Sequence, residues 1–187
     1  MQGIFELNLS KTTRKANACL CGLGRTRRVL VSDTLLTAYP PEEVEVVLAH
    51  ELGHHRLRHI GILILVSTAA TGVGCFWVDR AIRRLISPLG LTGLDDLSVL
   101  PLTALGLFLA GLLLLPLTQG ISRFLERQAD RFALQQTGNP QAFIATMRRL
   151  AGQNLAEIDP PRWVEWLLYD HPSIRKRIAL AEQYERL

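Results

Sequence analysis

His50-Glu51-Leu52-Gly53-His54, set inside the longer run Glu42 to His59, is the stretch on which the rest of the chain turns. On an α-helix, residues four apart lie one above the other, so both imidazoles project from one face. Such a pair can hold one Zn²⁺ at about 2.0–2.1 Å per nitrogen, with Glu51 beside the metal to take a proton from water. The helix is well specified. Pro40-Pro41 puts a proline at the first helical position, and Glu42 and Glu43 suit the positive end of the helix dipole. Val44, Val47, Leu48 and Leu52 supply an apolar stripe. A soluble helix that happens to carry two histidines would share the pattern, so the weight falls on the residues around it.

The 187 residues are one domain's worth of chain. Mean hydropathy is +0.17 although 20% of residues are charged, so the apolar character must be concentrated. It lies in two runs without a charge, the 18 residues from Gly61 to Val78 and the 25 from Leu97 to Ile121. Each meets the length needed to cross a hydrocarbon layer about 30 Å thick. A pair of buried helices in a soluble fold is the alternative. Gly72, Gly74, Ala69 and Ala70 suit close helix packing in lipid, and Phe76 and Trp77 sit near one end, as interfacial aromatics do. The net charge of +4 comes from arginines scattered around these runs. It is membrane-side charge: no basic cluster interleaved with aromatics offers a nucleic-acid surface. Cys19, Cys21 and Cys75 are odd in number and form no disulfide framework; they read as small apolar fillers. Met1 leads at once into a strand-like segment, so no signal peptide is expected.

Phe5, Leu7 and Leu9 alternate with Glu6, Asn8 and Ser10, which predicts a half-buried strand. Asn17 to Cys21 and Arg27 to Ser32 read as two more, with Gly22-Leu23-Gly24 as a hairpin turn between them. Ser32 or Asp33 can cap a short helix through Leu36. Asn17 and Ala18 open the second strand and are the candidate substrate-binding residues. An edge strand beside such a site can pair with an extended peptide, or it can merely buttress the helix. The expected architecture is therefore a mainly α membrane protein with a small N-terminal β element. Within one domain, the β element over 1–36 leads to the metal-motif helix over 41–59. Two transmembrane helices over 61–78 and 97–121 follow, then the remaining helices over 122–187.

A catalytic zinc takes three protein ligands and leaves one position for water. Two membrane crossings return the chain to the side it left, and a helix over Ser122 to Gln136 is expected to start there. It carries Glu126 and Asp130 on one face. Glu126 is the choice for third ligand. Asp130, one turn on, can accept the other ring N–H of a ligating histidine and so fix its tautomer. Helices from Pro140 to about Gly152, around Trp163 and Trp166, and from Ser173 to the end complete the expected series.

Taken together, these motifs resemble a known group. Asn17-Ala18 through Gly24, Arg28 to Leu36, Glu43 to His59, Glu126-Arg-Gln-Ala-Asp130 and Asp170-His171-Pro172 with Arg177 follow, in order, the pattern of membrane zinc metallopeptidases of the M48 class. That class includes the CAAX prenyl proteases of the Ste24 type and the heat-shock protease HtpX. The resemblance implies a gluzincin-like core, one Zn²⁺ per chain, Glu126 as third ligand and Asp130 as its partner just outside the ligand set. It further implies that His171 lies at the active site, polarising the scissile carbonyl or stabilising the oxyanion. The expected partners are the lipid bilayer and protein or peptide substrates, with no nucleic acid; oligomeric state is not encoded in these motifs. The competing class is a non-catalytic membrane scaffold with a structural zinc, against which an intact Glu51 speaks. Near the spans, Arg56, Arg58, Arg123, Arg127 and Arg131 outnumber Arg80, Arg83 and Arg84, which expects the site on the cytosolic side.

Overall fold

The computed structural model describes residues 3–13, 15–22, 24–155 and 157–186. The chain runs β1 (Ile4–Leu7), β2 (Ala18–Cys21), β3 (Arg28–Ser32), α1 (Asp33–Ala38), α2 (Pro41–Arg56), α3 (His59–Leu85), α4 (Val99–Thr137), α5 (Pro140–Asn154), α6 (Arg162–Leu168) and α7 (Ile174–Glu185). The three strands form one sheet in the order β1-β3-β2. β2 and β3 make the expected antiparallel hairpin, with Ala18 opposite Val31. Gly22 has φ +86°, and a Cβ there would lie 2.6 Å from the Thr26 carbonyl oxygen, so only glycine fits. Leu23, the middle of the expected turn, lies outside the described residues.

β1 differs from the sequence expectation. It pairs in parallel with β3 and leaves Phe5 and Leu7 exposed rather than half-buried. The helices cover β3 and β2, and β1 overhangs them at the sheet's outer edge. Ser32 caps α1 through its hydroxyl, which accepts the Leu35 N–H at 3.2 Å.

α2 is packed on two sides. Val44, Val47 and Leu48 meet Val29, Val31, Leu35 and Tyr39 of the sheet and α1. Val46 and Ala49 enter a second core with Ala133 and Leu134 of α4, Phe143 and Met147 of α5 and Ala181 of α7. At Gly53 the helix crosses α4 so closely that an added Cβ would lie 3.2 Å from the Ala129 Cα. The expected metal-motif helix to His59 stops short. α2 ends at Arg56, Arg58 takes a left-handed conformation (φ 59°, ψ 32°), and His59 opens α3.

The two apolar runs lie in α3 and α4, both long and apolar enough to cross a membrane. Only 6% of the most apolar window of either is buried, which is not the pattern of a soluble core helix. They pack on each other through Gly74 against Ala110 and Gly106 against Val78. Both extend beyond the expected limits of 61–78 and 97–121. In particular, no new helix begins at Ser122. α4 is one rod of 39 residues, about 58 Å at 1.5 Å per residue, so its apolar part and Glu126 share a single rigid element. Pro116 lies within it without ending it: a proline removes one N–H, here the one that would reach the Leu112 carbonyl, and the helix continues on both sides.

Candidate active site

α2 presents His50 and His54 toward α4, and α4 presents Glu126 between them. The ligand atoms of the three side chains all lie within 4.8 Å of one another. His50 Nε2 is 3.3 Å from Glu126 Oε2, and His54 Nε2 is 3.2 Å from Glu126 Oε1. The two Nε2 atoms are 3.1 Å apart. Glu126 Oε2 is a buried oxygen without a hydrogen-bond partner. Imidazole nitrogens converging on a buried carboxylate, at ion-pair distance but without hydrogen-bond geometry to Oε2, form a donor set suited to a cation. Two nitrogens and a carboxylate oxygen at this spacing fit a metal ion.

Around this set the other side chains are tightly tied. Asp130 is fully buried and lies 3.0 Å from His50 Nδ1. Its second oxygen accepts Arg177 Nε at 2.9 Å, and Arg177 Nη2 donates to the first, a two-pronged pairing from α7. Burial acts to lower the His50 pKa, but the Asp130 and Glu126 carboxylates outweigh it and push it up to about 9. Arg177 figured in the sequence only as part of a pattern; its contact with Asp130 spans 47 residues and leaves no local signal.

Glu51 sits beside the set and accepts the Leu20 N–H of β2. Burial raises its pKa, against the pull of the two imidazoles. Ser32 N–H donates to the Asn17 carbonyl at 2.9 Å, so by antiparallel alternation Ala18 and Leu20 turn their peptide groups away from β3. Asn17 precedes the strand and Ala18 begins it. Both line a cavity of about 380 Å³ that His50, Glu51, Val46, Phe143 and His171 also border.

His171 approaches from the opposite wall. Its Nε2 is 3.2 Å from Glu126 Oε2, and its Nδ1 is 2.8 Å from Asp170 Oδ1. Desolvation would lower its pKa, but the Asp170 hydrogen bond and the Glu126 charge prevail and raise it. The loop that carries it is anchored by residues the sequence reading passed over. Arg123 Nη1, one helical turn before Glu126, donates to the carbonyls of Glu165 at 2.8 Å and Tyr169 at 2.5 Å. Gln119 Nε2 reaches the Leu168 carbonyl at 3.1 Å. Glu165 closes the far side, accepting the Ser173 N–H at 3.0 Å and Lys176 Nζ at 2.7 Å. Together these satisfy the open carbonyls at the end of α6 and fix the path from Tyr169 to Ser173.

The family model described as peptidase family M48 matches residues 1–185. An uncharacterized metalloprotease of Bacillus subtilis, YhfN, is 31% identical over 186 residues, covering 97% of this chain and 44% of that protein. The CAAX prenyl protease 1 of Saccharomyces cerevisiae is 25% identical over 203 residues, covering 94% and 43%. The crystal structure of S. mikatae Ste24p matches with a TM-score of 0.74 at 26% identity, over 96% of this chain and 46% of that one. The chain thus spans less than half the length of these relatives.

Proposed function

This chain belongs to peptidase family M48, and on that premise we propose that it is an integral-membrane zinc endopeptidase cutting membrane or membrane-associated proteins. The observation that carries the reading is the convergence of His50, His54 and the buried Glu126, their ligand atoms within 4.8 Å of one another, with Glu51 alongside. A structural zinc is usually closed by four protein ligands and has no use for a base beside it; three ligands and Glu51 suit catalysis instead.

His50, His54 and Glu126 are the metal ligands in this reading. Bound there, Zn²⁺ supplies Lewis acidity to the scissile carbonyl and lowers the pKa of a water toward about 7. Glu51, its pKa raised by burial and its carboxylate oriented by the Leu20 N–H, would take the proton of the attacking water and return it to the leaving amine. His171, whose pKa the Asp170 hydrogen bond raises, would donate from Nε2 to the carbonyl oxygen as it gains charge. An extended substrate would add to the free edge of β2 through the Ala18 peptide group by main-chain pairing. Val46, Phe143 and Met147 line the cavity next to His50 and receive an apolar side chain beside the cleaved bond.

α3 and α4 anchor the site at the bilayer surface, and the five-to-three arginine excess beside the spans supports a catalytic face in the cytosol. The test is metal content. Protein purified in detergent is expected to carry one zinc per chain, and His50→Ala, His54→Ala or Glu126→Ala to lose it. Stoichiometric zinc in the Glu126→Ala protein removes Glu126 from the ligand set.

A further inference from the structure

His59 is fully buried at the first turn of α3, and both of its ring nitrogens have a partner. Nδ1 lies 3.0 Å from His54 Nδ1, and Nε2 lies 3.1 Å from Gln128 Oε1 of α4. The His54 and His59 rings meet edge to face, 80° apart with centroids 5.0 Å apart. Residues five apart on one uninterrupted helix are about 140° apart around the axis and do not face each other. The left-handed Arg58 interrupts the helix between them and turns His59 back onto His54. That conformation is uncommon for a residue with a Cβ and costs on the order of 1–3 kcal/mol, so the contact it creates is bought at some strain.

From this geometry we infer that His59, itself held by Gln128, is a positioning residue that sets the tautomer and ring orientation of His54. The inference rests on reading His50, His54 and Glu126 as the metal site. The proton arrangement follows from donor and acceptor identities. The Gln128 amide oxygen only accepts, so His59 carries its proton on Nε2. His59 Nδ1 is then a lone pair and can only accept from His54 Nδ1–H. That leaves the His54 Nε2 lone pair directed at Glu126 Oε1 and the metal position. The reverse arrangement would put a proton on His54 Nε2, where it blocks a ligand bond. His50 is held in the same tautomer by different means, through Asp130 and Arg177. The two ligating histidines thus have separate supports, one a carboxylate and one a neutral imidazole backed by an amide.

The experiment measures zinc dissociation constants by chelator competition on the full chain in detergent. His59→Leu removes the acceptor at similar volume and is expected to weaken zinc about 10–100-fold, the range typical of lost outer-shell partners. His59→Asn, whose amide oxygen can stand where Nδ1 stood, is expected to recover most of that loss, a rescue that packing alone would not produce. Gln128 is only half-buried and offers a second pair for the case in which His59→Leu fails to fold. Gln128→Leu is expected to weaken zinc in the same direction, whereas Gln128→Glu, which keeps an acceptor, is expected to hold it near wild type. Folded Leu variants that bind zinc as tightly as wild type overturn the inference, as does His59→Asn binding no better than His59→Leu. A wild-type chain that binds no zinc at all overturns the metal-site reading and this inference with it.

Discussion

Arg123→Met separates the support of the His171 loop from the metal site. Arg123 is buried on α4, and one nitrogen donates to the carbonyls of both Glu165 and Tyr169. Methionine keeps the aliphatic bulk and removes both bonds. Hydrogen bonds from a charged donor are worth about 1.5–3 kcal/mol each, and water can reach part of the Tyr169 side, so about 2–4 kcal/mol of loop anchoring is at stake. Every 1.4 kcal/mol is tenfold in an equilibrium, so His171 would spend most of its time displaced from Glu126 if the loop's margin is of that size. The fall in turnover has a ceiling, which is the contribution of His171 itself, about 10²–10³ for an oxyanion donor. The assay is a double-mutant cycle on peptide hydrolysis, with zinc content measured alongside. Arg123→Met is expected to keep stoichiometric zinc and lose at least tenfold in kcat, and to have no further effect in a His171→Ala background. Full additivity of the two substitutions, or loss of zinc from Arg123→Met, would refute the reasoning.

Other consequences are open to direct measurement. His171→Ala should retain zinc and lower turnover by about 10²–10³, and unchanged activity would make that histidine structural only. Gly53→Val should force α2 from α4 at Ala129, costing about 1–3 kcal/mol in unfolding free energy and weakening zinc by moving His50 and His54 from Glu126; tight zinc in that variant would show that the crossing does not set the site. Glu165 is pushed up by burial, but Lys176 and the Ser173 N–H outweigh this and hold its carboxyl below the usual range. A depressed folded pKa gives stability that is present above the unfolded value, about 4.3, and lost as pH falls through the lower folded one. Thermal melts from pH 7 to 3 should therefore fall less steeply in Glu165→Gln than in wild type, and parallel curves would contradict this. In sealed vesicles of a chain freed of its own cysteines, an impermeant thiol reagent outside the cytosolic face should label a cysteine at Gly90 and spare one at Gln141. Labelling of both from one side would mean that α3 and α4 do not cross as a pair.

Local spacing explains what could be read in advance. His50 and His54 occupy one helix face by periodicity, with Glu51 beside it, and Glu126 and Asp130 share a face one turn apart, so their placement needed only helices. The hairpin of β2 and β3 was likewise written in Gly22 and Gly24. Beyond the helix, contacts escape such reading. β1 looked half-buried from its alternation, but burial depends on what covers a strand, and the helices stop short of it. The break after Arg56 carries neither glycine nor proline, because Arg58 takes the left-handed conformation itself. The run from Leu97 to Ile121 and the helix bearing Glu126 appeared as two elements because charge changes at Arg123, although nothing there stops a helix. Arg123, Glu165 and Arg177 act across 42 to 47 residues, where no sequence period links them to the site.

The most direct trial of metal-assisted hydrolysis here is Glu51→Gln, which keeps the shape of the side chain and removes its basicity. Zinc content and peptide cleavage would be measured on the same preparation, beside wild type. One zinc per chain in both proteins, with cleavage abolished in Glu51→Gln, is the predicted result. Cleavage by Glu51→Gln at the wild-type rate would contradict Glu51 as the base, and active wild-type protein without zinc would contradict the metal centre itself.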